Sequence, residues 1–102
     1  MSIKKQYLKN KPVCKVTFTL PRDRASEAQN VALMGDFNDW NPGTTPMKRR
    51  RDGSFEATLN LDTGHEYQFR YLLNNNTWEN DDSADKYVRS PYGDTENSVI
   101  AV

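Results

Sequence analysis

Apolar residues in this chain recur at every second position over several short stretches. Residues 13–20, VCKVTFTL, place Cys14, Val16, Phe18 and Leu20 on one face and Lys15, Thr17 and Thr19 on the other. Residues 54–61 repeat the pattern, with Phe55, Ala57, Leu59 and Leu61 opposed to Glu56, Thr58 and Asn60. In 66–73, EYQFRYLL, Tyr67, Phe69, Tyr71 and Leu73 share one face and Gln68, Arg70 and Leu72 the other. A period of two is that of a half-buried β-strand. The apolar run VALMG at 31–35 and the closing SVIAV at 98–102 read as two more strands. Residues 46–51, PMKRRR, run into Asp52-Gly53, a strong hairpin signal.

Turn residues punctuate these runs. Thr63-Gly64 turns the chain into the 66–73 strand, and Asn74, Asn75 and Asn76 leave it, because asparagine tolerates left-handed backbone angles. A short piece, Thr77-Trp78-Glu79, then leads into the acidic loop NDDSAD. Residues 21–30 open with Pro21 and read as a loop holding a short helical turn at 25–29. Residues 1–12 read as a basic arm without fixed structure, which leaves 13–102 as the domain. No stretch carries the apolar period of an amphipathic helix. The expected fold class is all-β, an immunoglobulin-like antiparallel β-sandwich, with a barrel as the alternative.

At 102 residues the chain makes one domain with a modest core. Lys plus Arg and Asp plus Glu both number 14, a balance that argues against a nucleic-acid partner, which needs a positive field. A single cysteine, Cys14, rules out an internal disulfide framework. No apolar run approaches a membrane span, and the N-terminus lacks the apolar segment of a signal peptide, so the expected setting is cytoplasmic. The sequon Asn75-Asn76-Thr77 then reads as a chance match.

Little here suggests catalysis, a metal or a cofactor. One histidine, His65, and one cysteine do not make a zinc site. The stretch from Asp36 starts like a calcium loop but has Trp40 at the fifth position, where a ligand is needed. Glu79, Asp81, Asp82 and Asp85 read as a solvated acidic loop. No phosphate-cradling glycine loop and no nucleophile–base motif occurs. A carboxylate pair for glycoside hydrolysis would need a deep cleft, which so small a sandwich hardly builds. The basic run Lys48-Arg49-Arg50-Arg51 reads as a charged edge that discourages strand–strand aggregation.

The tryptophans stand apart. Trp40 lies in GDFNDWNP and Trp78 in NNNTWENDD, each among turn-forming polar residues. Either ring can fold back over the end of a sandwich and plug it. Two such rings, each wrapped in Asn and Asp, favour a binding surface instead. A flat indole and the C–H face of a pyranose are both apolar, and neighbouring polar groups can bond the sugar hydroxyls.

The string Val31-Ala32-Leu33-Met34-Gly35-Asp36-Phe37-Asn38-Asp39-Trp40 resembles the GxFNxW signature of carbohydrate-binding module family 48. That family includes the glycogen-binding domain of the AMP-activated protein kinase β-subunit and the early-set domains of isoamylases and branching enzymes. The resemblance continues through Tyr67-Gln68-Phe69-Arg70-Tyr71, Trp78 and the stretch from Pro91 to Ile100. It implies an early-set sandwich whose partner is an α-1,4-glucan such as glycogen or a maltooligosaccharide. Trp40 and Trp78 match the family's two sugar-stacking tryptophans. Arg70 falls where the kinase domain has a glucan-bonding lysine, and Thr95 and Asn97 match its polar contacts. Where that domain projects a leucine before the threonine, this chain has Tyr92 or Gly93. The implied carbohydrate-binding set is therefore Trp40, Trp78, Arg70, Thr95, Asn97 and Tyr92. The alternative is a protein-interaction or regulatory module of the same fold, docking a glycogen-metabolism enzyme; a small hydrolase is a third and weaker reading.

Overall fold

The structure is a computed structural model and describes residues 3–25, 28–90 and 95–102. Among the described residues, nine strands form two antiparallel sheets. The first sheet has the order β1 (Ile3–Tyr7), β2 (Val13–Leu20), β5 (Phe55–Asp62), β4 (Lys48–Arg49). The second has the order β3 (Val31–Gly35), β6 (Glu66–Leu73), β9 (Glu96–Ala101), β8 (Lys86–Arg89). A short strand, β7 (Thr77–Glu79), pairs with the C-terminal half of β6, beyond the stretch that β9 occupies. This is the expected all-β sandwich, with two separate sheets rather than a closed barrel. No helix of the described residues is long and apolar enough to cross a membrane.

The alternating faces point as the sequence reads. Cys14, Val16, Phe18 and Leu20 are buried, as are Phe55, Leu61, Phe69, Tyr71 and Leu73. Ala57, Leu59 and Tyr67 pack against this core from partly exposed positions. Phe18 meets Phe69 edge-on at 5.1 Å, and Phe69 meets Tyr71 edge-on at 5.9 Å, joining the two sheets through aromatic rings. The turn after β6 is left-handed at Asn74 (φ 51°) and Asn75 (φ 61°).

Two expectations need correction. Residues 3–7, read as part of an unstructured arm, form β1, paired along its length with β2. Lys5 on this strand reaches across the sandwich: its Nζ donates to Asp85 Oδ2 and to the Ala101 carbonyl, both at 2.8 Å. The strand expected over 46–51 shrinks to β4, because the preceding segment belongs to the other sheet. Leu33 N–H donates to the Thr45 carbonyl and Met47 N–H to that of Val31, so residues 45–47 edge β3 before the chain crosses over. Pro46, lacking an N–H, fits that edge position. A helical turn, α1, spans Arg22–Ala25, just after Pro21; of the turn expected at 25–29, residues 26 and 27 lie outside the described residues.

A buried polar knot closes the second sheet's edge. Tyr71 Oη donates to Asp81 Oδ2, Asp81 N–H donates to Ser98 Oγ, and Ser98 Oγ donates to Asn80 Oδ1. Arg24 on α1 ties in from outside through Glu79, the Asn80 carbonyl and Asp82. Thus the acidic stretch after Trp78 is largely structural rather than a loose solvated loop.

Candidate functional site

The outer face of the second sheet carries the site. Alternation along β6 turns Gln68, Arg70 and Leu72 outward, and pairing with β3 sets Met34 opposite Arg70 and Ala32 opposite Leu72. On the other edge Trp78 stands opposite Leu72. Ala32, Met34 and Leu72 are buried as a small outer cluster, and Trp40 is what packs over it.

The segment from Gly35 to Trp40 explains how an aromatic ring returns over its own strand. Gly35 is extended, so its need for glycine is spatial: a Cβ there would lie 2.6 Å from the Gln68 carbonyl and 2.8 Å from Phe37 and Phe69. This close approach lets Phe37 pack against Phe18 (ring centroids 5.7 Å apart). Asn38 then folds back, accepting the Gly35 N–H at Oδ1 and donating from Nδ2 to the Leu33 carbonyl and Thr45 Oγ1. Asp39 (φ 55°) and Trp40 (φ 57°) are both left-handed. A bulky residue there is strained, by about 1–3 kcal/mol, and persists only where surrounding contacts hold it. Asp36 supplies two such contacts: Oδ1 accepts the Trp40 indole N–H at 3.0 Å and Oδ2 accepts the Gln68 N–H at 2.9 Å.

Trp40 and Trp78 flank a groove of about 630 Å³ lined also by Met34, Asp36, Arg70 and Asn97. Their ring centroids are 6.3 Å apart and the planes meet at 60°, so the two indoles make a V rather than a flat shelf. Trp78 is 43% exposed. The Arg70 guanidinium lies 4.8 Å from the Trp78 ring centroid, a cation–π contact of about 0.5–2 kcal/mol. Burial lowers the Arg70 pKa from its ordinary value. Asn97 is 4% exposed; its Nδ2 donates to Gln68 Oε1 at 3.0 Å, while its Oδ1 and Arg70 Nε are buried with no hydrogen-bond partner among the described residues.

Of the residues singled out in the sequence, Trp40, Trp78, Arg70 and Asn97 come together here. Thr95 is exposed and does not line the groove; its carbonyl accepts the Ser90 N–H at 2.8 Å, and Ser90 is at the groove's edge. Tyr92 and Gly93 lie outside the described residues. Met34, Asp36, Asp39, Gln68 and Ser90 also line the groove and were not singled out. Gln68 was legible as an outward neighbour of Arg70, but the Asp36–Trp40 contact runs through an irregular turn that has no periodic signal. The described residues hold no group of three or more potential metal ligands.

Comparison with known proteins identifies the family. The family model described as carbohydrate-binding module 48 (isoamylase N-terminal domain) matches residues 22–93, which include Trp40, Arg70 and Trp78. The 1,4-alpha-glucan branching enzyme GlgB of Aquifex aeolicus (strain VF5) is 45% identical over 62 residues, covering 58% of this chain and 10% of the enzyme. The 1,4-alpha-glucan branching enzyme GlgB 2 of Xanthomonas campestris pv. campestris (strain 8004) is 44% identical over 49 residues, covering 47% of this chain and 7% of the enzyme. The matches thus span a tenth or less of these relatives. The chain belongs to the carbohydrate-binding module 48 family.

Proposed function

We propose that the Trp40–Trp78 groove binds α-1,4-glucan, and that this chain binds the polymer without cleaving or transferring it. The observation that carries the reading is the pair of indoles meeting at 60° on an open face, with Arg70 over the Trp78 ring and Asn97 also lining the groove. Two inclined aromatic faces suit a polymer that curves as it passes. A flat shelf would suit a straight one. The branching enzymes that the chain resembles are named for 1,4-α-glucan, which agrees with this choice of sugar. Both Asp36 oxygens accept hydrogen bonds within the fold, which among the described residues leaves Asp39 as the other carboxylate lining the groove, whereas glycoside hydrolysis ordinarily uses two.

Binding is weak on this reading. Each ring contributes about 2–3 kcal/mol of gross burial, and association costs offset much of it, giving dissociation constants of roughly micromolar to millimolar. Affinity electrophoresis in glycogen gels tests it: the chain should be retarded by glycogen and by competing maltoheptaose released, with cellohexaose ineffective. Equal retardation in gels of a β-linked glucan would overturn the sugar assignment. Purified protein should release no reducing ends from maltooligosaccharides.

A second reading is docking to a glucan-processing enzyme through the same face. It is favoured by the small share of the relatives that the match occupies, which places the corresponding region beside much additional chain. Trp78→Ala separates the two, since only glucan binding requires retention in glycogen to fall.

A further inference from the structure

Trp40 is carried by a turn, not by a strand, and its backbone occupies a conformation that an aromatic residue seldom adopts. Apolar packing on Ala32, Met34 and Leu72 is non-directional, so it seats the ring on the sheet without a directional bond to set its orientation. Gly35 and Asn38 anchor the start of the turn, and their hydrogen bonds engage its backbone rather than the indole. Among the described residues, Asp36 is the group whose side chain bonds the indole. Its second oxygen holds the backbone of β6 at Gln68, two residues from the Arg70 that lies over Trp78. One carboxylate therefore links Trp40 to the strand that carries the cation lying over Trp78.

We propose that Asp36 is a positioning residue for the groove: by taking the Trp40 indole N–H and the Gln68 N–H on its two oxygens, it sets the angle between Trp40 and Trp78. The bond also withdraws the indole N–H from any ligand. Trp40 then meets a sugar with its apolar face alone and reads no hydroxyl. Such a wall accepts successive glucose units alike, so that a polymer can slide past it. Charge assists the bond, since the acceptor is a carboxylate. The consequence for glucan rests on the function proposed above; the placement of the ring does not.

Asp36→Asn in the full chain tests this. The amide has the carboxylate's shape but only one accepting oxygen, so it serves Gln68 or Trp40, not both. The near-ultraviolet circular dichroism of the indoles should change while the strand signal is kept. Affinity for β-cyclodextrin, followed by tryptophan fluorescence, should fall roughly three- to tenfold. In a Trp40→Phe background, where no indole N–H remains, the same substitution should change affinity little. An unchanged near-ultraviolet spectrum, or an equal loss of affinity in both backgrounds, would overturn the proposal. Exchange of the indole protons in the unaltered protein gives a measurement independent of any variant's folding: the Trp40 proton should exchange more slowly than that of Trp78, and equal rates would overturn the bond. If the unaltered chain binds no α-glucan, the function proposed above fails, while the spectral and exchange results still decide the role of Asp36.

Discussion

The Tyr71 hydroxyl donates to Asp81 Oδ2 at 2.6 Å in the interior of the sandwich, where Asp81 is 2% exposed. Burial and the neighbouring Asp81 charge hold the Tyr71 pKa well above its ordinary value. Burial also raises Asp81, against the opposing pull of the Tyr71 hydroxyl and the Ser83 N–H. The two shifts act at opposite ends of the pH scale.

For Tyr71, the unfolded chain releases the phenolic proton near pH ~10 and the folded chain only well above it. Stability is therefore intact below pH ~10 and falls as pH rises through that value toward the folded pKa. The thermal midpoint should drop on this alkaline limb, and Tyr71→Phe should make the drop shallower. Tyr67, also raised by burial, retains a share of it. At neutral pH the same substitution leaves Asp81 Oδ2 without its donor and should cost about 1–3 kcal/mol. An alkaline limb identical in the variant would refute the assignment.

Asp85 behaves in the reverse sense. Burial raises its pKa, but the Ala101 N–H and Lys5 together outweigh burial, and the net shift is downward. Its contribution is present above the unfolded carboxylate pKa of ~3.9 and is lost as pH falls through the lower folded value. Lys5→Ala should flatten this acid limb and cost about 0.5–1.5 kcal/mol at neutral pH, the lower part of that range reflecting solvent screening of a half-exposed pair. Urea titrations at neutral and acid pH give both numbers.

Phe69 and Trp78 separate the core from the proposed binding face. Phe69 is fully buried between Phe18 and Tyr71, so Phe69→Ala should cost about 3–5 kcal/mol. Trp78→Ala removes an exposed ring and its Arg70 contact and should cost about 1 kcal/mol or less, while abolishing most retention in glycogen gels. Trp40→Ala should fall between the two in stability, because its ring covers the Ala32–Met34–Leu72 cluster. Thermal melts set against gel retardation give the order.

Gly35→Ala tests the close approach that starts the turn. The added methyl meets the Gln68 carbonyl, which as backbone of a central strand cannot swing aside. The expected cost is about 1–3 kcal/mol from overpacking. Displacement of β3 from β6 should also move Trp40, so glucan affinity should fall with stability. A variant as stable as the parent would show that the strands separate freely.

The strands that alternate, β2, β5 and β6, were legible because one face of each is buried and the period of two is written in residue type. β1 was not: IKKQY buries Ile3 alone, and Lys5 points inward with its charge satisfied by Asp85, which no hydrophobicity pattern reveals. β8, KYVR, is likewise an edge strand with little burial. Trp40, Trp78, Arg70 and Asn97, singled out by local context and family resemblance, line one groove. Asp36 escaped because its two partners, Gln68 and Trp40, are brought to it by a turn and a distant strand. The acidic loop was read as solvated, yet Asp81 is buried, since sequence does not show that Tyr71 and Ser98 will surround it.

The Lys5 clasp bears on how fast this domain can assemble. Lys5 and Ala101 are 96 residues apart, so the bond between them closes nearly the whole chain into one loop. Local pairing of β1 with β2 can form early, but the clasp must wait until the last strand has found its place in the other sheet. Sandwiches ruled by such distant pairings fold in milliseconds to seconds, far more slowly than helical bundles of similar size. Weakening the clasp should then act chiefly on the rate of unfolding, with refolding almost unchanged, because a contact made last is absent from the transition state.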